Sequence, residues 1–207
     1  MSDELSLEDL LGIELRWPRE GDRLFTRAEA WDANANISQD KFSRLVYMKR
    51  GYKKAADLLV KQAQTGEHRD LLVYPIVFNY RQYLELQLKY MIYSYGYTVG
   101  IEPVWDSHDL KDLWKKFMAV LDGYGVTDGR ETDEIVGKNI AEFAQVDPGS
   151  FTYRYPVSRG GEFISIAQDK VDLAALADVM EAIEGYFSGN DGMLDEWQHN
   201  TPNEVGP

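Results

Sequence analysis

The sequence predicts an all-α protein: a five-helix antiparallel up-and-down bundle with a short extended, β-like insert before the last helix. Three observations favour this fold. Apolar residues recur at helical spacing in five segments. Short connections marked by Gly and Pro join most of these segments, which is typical of antiparallel neighbours. Apolar residues make up 44% of the 207-residue chain, enough for a hydrophobic core.

The pattern divides the chain into three parts. Residues 1–37 form an acidic N-terminal segment and loop, with a short amphipathic helix predicted over residues 1–14 and ended by Trp17-Pro18. Residues 38–187 form the helical bundle. Residues 188–207 are predicted to be an acidic flexible tail, unless Met193, Leu194 and Trp197 dock on the body.

The first bundle helix is predicted to begin at a cap, Ser38 or Asp40, and to end at Thr65-Gly66. Its apolar face comprises Leu45, Met48, Tyr52, Ala55, Ala56, Leu59 and Ala63. Its opposite face is basic and comprises Lys49, Arg50, Lys53, Lys54 and Lys61. We interpret the basic face either as a solvated helix surface or as a surface for phosphate or an acidic partner.

A central helix follows over about residues 70–95, with Pro75 in its first turn or at a kink. Its segment NYRQYLELQLKYMI is apolar nearly all round, so we expect it in the middle of the bundle. Arg81, Glu85 and Lys89 are spaced i, i+4, i+8 and therefore share one face. They form either an ion-pair ladder along the helix or, with Gln82 beside them, one wall of a ligand site.

A third helix is predicted from Asp106 or Ser107 to Leu121, and a fourth over about residues 131–146. The buried face of the third helix comprises Leu110, Leu113, Trp114, Phe117 and Leu121. His108 would lie in its first turn, where the positive helix end disfavours protonation of the imidazole. A neutral His108 there either accepts a proton or serves as a structural hydrogen-bonding group.

The segment DPGSFTYRYPVSRGGEFISIA interrupts the helices, because its Pro and Gly residues exclude a continuous helix. Its alternating aromatic and apolar residues predict two short strands or extended pieces before a last helix over about residues 170–187. Arg154 lies between Tyr153 and Tyr155, which would hold its guanidinium in place. Arg154 then either presents its donors to an anion or bonds to the bundle itself.

Composition and motifs exclude several kinds of site. The chain has no Cys, and its three His residues lack metal-ligand spacing, so we expect no metal centre. No phosphate-binding glycine loop or dinucleotide fingerprint occurs, so we expect no cofactor. No uncharged apolar stretch is long enough to span a membrane, and the acidic N-terminus differs from a secretory signal. We therefore expect a cytoplasmic protein.

The net charge of −13 is unevenly distributed. The first 14 and last 20 residues hold nine carboxylates and no Lys or Arg, which leaves only −4 on the rest of the chain. Few cations are available for an extended grip on nucleic acid, but a small anion-binding pocket on the body remains compatible with this balance.

Three motifs in this order resemble the HEPN superfamily of all-helical domains. They are Gln82, Glu85 and Lys89 on one helix, then Ser107-His108-Asp109-Leu110 with Leu113, then Arg154-Tyr155-Pro156 before the last helix. The resemblance covers about residues 40–187. It implies a four- or five-helix bundle, a homodimer, and work in prokaryotic toxin–antitoxin and phage-defence systems, where active members are metal-independent ribonucleases. Their signature, an Arg four to six residues before a His, is missing from this chain.

Three functions remain open at this stage. The first is a non-catalytic or degenerate HEPN-like module that binds a nucleotide, RNA or a partner protein. The second is a divergent metal-independent ribonuclease that uses His108 with Arg81 or Arg154. The third is a structural subunit of a larger assembly, docked through its tails and helix faces. The candidate catalytic residues are His108, Arg154 and Arg81, and the candidate ligand-binding residues are Glu85, Lys89, Asp109, Tyr155, Lys49, Arg50, Lys53 and Lys54.

Overall fold

A computed structural model describes residues 16–66 and 68–200, the side chain of residue 200 excepted. The chain forms two compact units, residues 1–37 and 38–207. In the described part of the first unit, a short 3₁₀ turn at Trp31–Ala33 is closed by the Asn34 side chain, which bonds the backbone of Ala28 and Ala30. The helix predicted over residues 1–14 lies outside the described residues.

The described part of the second unit contains five α-helices, which confirms the all-α prediction. They are α1 (Lys41–Thr65), α2 (Arg69–Tyr95), α3 (Leu110–Gly123), α4 (Arg130–Val146) and α5 (Leu173–Asn200). A 3₁₀ turn at Gly96–Val99 continues α2. Helix α2 packs against α1, α3 and α5, while α4 packs against α3. The helix that is apolar nearly all round therefore lies at the centre, as its sequence predicts.

The ends of α1 follow from its sequence. The Asp40 side chain accepts a hydrogen bond from the backbone N–H of Ser43 at 2.7 Å, which satisfies one donor of the first turn. Gly66 follows the last helical residue, as predicted. Pro75 lies inside α2.

The start of α3 differs from the prediction. Asp109, rather than Asp106 or Ser107, is the cap, and its carboxylate accepts from the backbone N–H groups of Lys111 and Asp112. His108 consequently precedes the helix instead of lying in its first turn.

The insert between α4 and α5 is less regular than two strands. Residues 152–154 form a turn, with the N–H groups of Arg154 and Tyr155 both bonded to the Phe151 carbonyl. Beyond it, a single antiparallel bridge joins Val157 and Phe163. The Asp147 carboxylate organises the turn, because it accepts from the N–H groups of Phe151 and Thr152 at 2.8 and 3.0 Å.

The last helix is longer than predicted, because α5 continues beyond residue 187 into the segment predicted as a tail. Of the two alternatives given for that segment, the burial of Leu194 matches docking on the body. Helix α5 continues to Asn200, and Leu194 is fully buried. The Tyr95 hydroxyl donates to a carboxylate oxygen of Asp191 at 2.6 Å, and the Tyr90 hydroxyl also contacts this carboxylate. A buried Leu and two tyrosines thus hold the extra turns on α2, despite the glycines and acids in their sequence. Residues 201–207 of the predicted tail lie outside the described part.

Within the described residues, no helix is both long and apolar enough to cross a membrane.

Gly137 of α4 allows a close approach to the core. A Cβ at this position would lie 2.8 Å from Nε1 of Trp114, whose ring packs against Phe117, Tyr186 and Phe187. Gly185 of α5 is also inside a helix, but a Cβ there would meet no atom within 4 Å. The two glycines therefore differ in packing and share the same cost to helix formation.

We expect opposite effects when these two glycines are changed to alanine. Gly185→Ala should raise the free energy of unfolding by about 0.5–1 kcal/mol, because Ala is the better helix former. Gly137→Ala should lower it by about 1–3 kcal/mol, because the added methyl overpacks the Trp114 ring. Urea unfolding followed by circular dichroism measures both. Stabilisation by Gly137→Ala equal to that by Gly185→Ala would contradict the packing.

Candidate functional site

Three charged residues of α2 form a buried ion cluster. Arg81, Glu85 and Lys89 have relative exposures of 0%, 1% and 5%. The Glu85 carboxylate accepts from Arg81 Nη1 at 2.9 Å on one oxygen and from Lys89 Nζ at 2.8 Å on the other. The predicted ladder of charges is thus present, but it lies inside the protein rather than on a helix surface.

The cations of this cluster also bind the loops around α2. Lys89 Nζ donates to the Trp105 carbonyl at 3.0 Å. Arg81 donates through Nη2 to the His108 carbonyl at 2.5 Å and through Nε to the Asp147 carbonyl at 3.3 Å. All three guanidinium nitrogens of Arg81 therefore donate to protein oxygens. The cluster ties the loop before α3 and the turn after α4 to the central helix.

Glu85 is ionised in this environment. Burial by itself would raise the pKa of its carboxyl, but the Lys89 ammonium, the His108 ring and the Arg81 guanidinium together outweigh burial and hold the pKa below its ordinary value. An ionised carboxylate accepts hydrogen bonds and donates none. Each group that forms a hydrogen bond with the Glu85 carboxylate must therefore be the donor.

His108 joins the cluster at its outer edge. Its Nδ1 lies 2.9 Å from Glu85 Oε1, while the side chain is 61% exposed. Because Glu85 can only accept, Nδ1 carries the proton, and a neutral His108 would have its lone pair on Nε2. A histidine oriented by a carboxylate can accept a proton, but Arg81, one of its two predicted catalytic partners, is fully buried and bonded to protein.

Arg154 lies on the insert in a different setting. Its guanidinium carbon is 5.0 Å from the centroid of the Tyr155 ring, 5.3 Å from that of Phe151 and 5.7 Å from that of Phe78 on α2. Arginine stacks readily on aromatic faces. Within residues 16–66 and 68–200, the Arg154 side chain forms no ion pair or hydrogen bond. Its donors thus stay available to a ligand.

A groove of about 490 Å³ adjoins Arg154. Its walls include the exposed rings of Tyr74, Tyr155 and Phe163, together with the backbone segment from Thr152 to Pro156. Tyr153, which is predicted to help hold the Arg154 guanidinium, is instead buried, and its ring lies 6.3 Å from that of Tyr74. We call this site the Arg154 groove.

Among the described residues, no hydrogen bond, ion pair or ring contact joins Arg154 to His108, and His108 does not line the Arg154 groove. The two are linked through Asp147, whose carbonyl accepts from Arg81 and whose carboxylate holds the turn before Arg154. Asp109 and Tyr155 serve local roles, as the cap of α3 and as a ring beside Arg154. The Glu85 cluster with His108 and the Arg154 groove are therefore described as two features.

Only part of the basic face predicted on α1 is exposed to solvent. Arg50 and Lys54 are exposed, but Lys49 and Lys53 are buried. The alternative of a solvated helix surface therefore holds for Arg50, Lys54 and Lys61 but not for Lys49 and Lys53, which lie on the part that α2 and α5 cover. Two of the four predicted phosphate-binding residues on this helix contact protein groups instead.

Lys53 is surrounded by carboxylates. Its ammonium lies within 3.0–3.2 Å of Asp57 on α1 and of Glu181 and Glu184 on α5. Burial would lower the pKa of Lys53, but hydrogen bonds to these three acids outweigh it and raise the pKa. The Tyr80 hydroxyl also donates to Asp57 at 2.9 Å, which joins α2 to the same group. Lys53 is therefore an anchor between helices.

Lys49 is buried with a neutral partner. Its ammonium donates to the Gln87 side-chain carbonyl at 2.7 Å and lies 3.6 Å from the centroid of the Tyr90 ring. Among the described residues it forms no ion pair. Burial is the main cause that lowers the pKa of Lys49 to about 8, opposed by the more distant charge of Asp191.

Two residues that organise the site were missed in the sequence. Asp147 precedes Pro148-Gly149, and an Asp before such a turn commonly accepts from N–H groups that follow it, which is a readable signal. Phe78 lies three residues before Arg81, so helical spacing places both on one side of α2. Nothing in the local pattern indicates that the Phe78 ring contacts Arg154.

The described residues contain no group of three or more His, Asp or Glu side chains arranged to hold a metal ion.

Comparison with protein-family models gives no match, and neither a curated protein nor a solved structure matches the chain.

The lowered pKa of Lys49 predicts a pH-dependent effect of Lys49→Met on stability. Below pH 8 the wild type holds a buried ammonium, so the variant should be more stable by about 1–2 kcal/mol after allowance for solvent screening. Between about pH 8 and the ordinary value of 10.5, the folded protein releases this proton while the unfolded chain keeps it, so the wild type gains stability.

Urea unfolding at pH 7 and pH 9.5 measures this effect. The advantage of Lys49→Met should shrink by about 1 kcal/mol at the higher pH. Lys54→Met, which changes an exposed lysine on the same helix, serves as the matched control and should show no such change. An advantage of Lys49→Met that is equal at both pH values would show that Lys49 does not titrate in this range.

Proposed function

We propose that this protein is a non-catalytic HEPN-like helical module that binds a nucleotide or an RNA end through the Arg154 groove. The observation that carries the proposal is an exposed guanidinium packed among three aromatic rings without an acidic partner. Arginine supplies several donors in a planar arrangement that matches phosphate oxygens. Exposed rings beside it offer surfaces on which a base can stack.

The state of Arg81 supports binding rather than catalysis. Phosphoryl-transfer chemistry without a metal needs a cation that reaches the developing negative charge. Arg81 is fully buried and its guanidinium nitrogens donate to Glu85, His108 and Asp147. His108 is held in one tautomer by Glu85, but the cation beside it is already used by the fold.

The biological setting in this proposal comes from the resemblance. It comprises a homodimer, a cytoplasmic location and a role in prokaryotic toxin–antitoxin or phage-defence systems. A partner protein and a larger assembly are the alternatives to a nucleotide or RNA ligand.

Fluorescence polarisation with a dye-labelled ribonucleoside monophosphate and a labelled single-stranded RNA tests the proposal. Arg154→Ala should weaken binding by about 10- to 100-fold, because it removes a charge-assisted hydrogen bond worth about 1.5–3 kcal/mol. Arg159→Ala changes another exposed arginine of the insert and should weaken binding by less than about 3-fold.

Two results would contradict the proposal. One is binding that Arg154→Ala leaves unchanged. The other is cleavage of the RNA by the purified protein in a metal chelator that His108→Ala abolishes, because this would make the protein a ribonuclease. Circular dichroism of each variant establishes that the fold is retained.

A further inference from the structure

Two cavities share lining residues with the Arg154 groove. A cavity of about 730 Å³ shares Tyr74, Tyr153 and Ile166 with the groove, and a cavity of about 340 Å³ shares Tyr153. A ligand that extends from the groove past these shared residues comes close to the charges that line the cavities. The charge of these cavities therefore affects which chemical groups a ligand can carry next to the group that binds Arg154.

Both neighbouring cavities carry an excess of negative charge. The larger is lined by three carboxylates, Asp70, Asp169 and Asp172, against two cations, Arg69 and Lys170. The smaller is lined by Glu142 and Asp172 against Lys170. The Arg154 groove itself is lined by Arg154 and no carboxylate.

One cation and one carboxylate of the larger cavity are bonded to backbone groups. Arg69 donates through Nε to the carbonyl of Ala63 at 3.1 Å, at the end of α1. Asp172 is engaged as well, because its carboxylate accepts from the backbone N–H groups of Ala174 and Ala175. Asp70 and Asp169 are exposed, so their charges face whatever enters the cavity, as does the charge of Lys170. A second phosphate placed there would meet like charge, which is unfavourable.

From this charge pattern we infer that the Arg154 groove takes a monomeric nucleotide or other small aromatic anion, and that it excludes the internal segment of a polynucleotide. This inference rests on the proposed function and narrows its ligand class. The base stacks in the aromatic groove and a single phosphate binds Arg154. The excess of negative charge in the two neighbouring cavities acts against the addition of further nucleotides.

A length series tests the inference. The probes are adenosine 5′-monophosphate and oligoadenylates of two, four and eight nucleotides, measured by competition against a dye-labelled monophosphate. Affinity should stay equal or fall as the chain lengthens. The octamer should show a weak salt dependence, consistent with about one phosphate contact.

A charge variant sharpens the test. Asp70→Asn with Asp169→Asn removes two exposed negative charges from the larger cavity without touching the groove, and it should raise octamer affinity about 5- to 10-fold with little effect on the monophosphate. Glu102→Gln, an exposed acid outside all three linings, is the control and should change neither affinity.

The outcomes separate the two claims. Wild-type binding of the octamer at least 10-fold tighter than of the monophosphate, still dependent on Arg154, would overturn this inference and leave the proposed function intact. The same holds if the Asp variant does not change octamer affinity. Absence of wild-type binding to every probe would overturn the proposed function and this inference with it.

Discussion

The fold depends on one buried carboxylate, Glu85, which two buried cations of the same helix require. Arg81 and Lys89 lie on the most buried helix of the bundle and cannot reach water, so each must be neutralised and fully hydrogen-bonded where it is. Glu85 supplies the charge, and loop carbonyls accept the remaining donors. The loops before α3 and after α4 therefore adopt their positions partly to satisfy charges on α2.

This constraint separates architecture from binding. The charged residues that look most like a site in the sequence instead hold the fold together. Arg81 and Lys89 bind loop carbonyls to α2, and Lys53 pairs α1 with the acids of α5. Arg154 is different, because aromatic rings hold it from the side while its donors stay free. A chain with an acidic body thus retains a small positive site that is suited to a ligand with little charge.

Sequence periodicity predicts the positions of the helices well, but it predicts the burial and the contacts of their charged residues poorly. The apolar segment around Leu84 and the cap at Asp40 are local signals, and both give the correct element. The burial of Lys49 is not local, since it depends on Gln87 and Tyr90 of another helix. The length of α5 depends likewise on Tyr95, which bonds to Asp191 almost a hundred residues away in sequence. For Arg154, the flanking aromatics predict that the side chain is held, but the contact with Phe78 requires the tertiary fold.

Unfolding of Glu85→Gln tests the central claim most directly. This nearly isosteric change leaves Arg81 and Lys89 buried without a counter-charge, so the free energy of unfolding should fall by about 3–5 kcal/mol. Hydrogen exchange should also become faster in residues 101–109 and 147–152, the segments that the cations hold. Glu181→Gln, which changes an exposed partner of Lys53, should cost less than about 1 kcal/mol. If Glu85→Gln instead matches the wild type in stability and in exchange of both segments, the buried charges do not organise this fold.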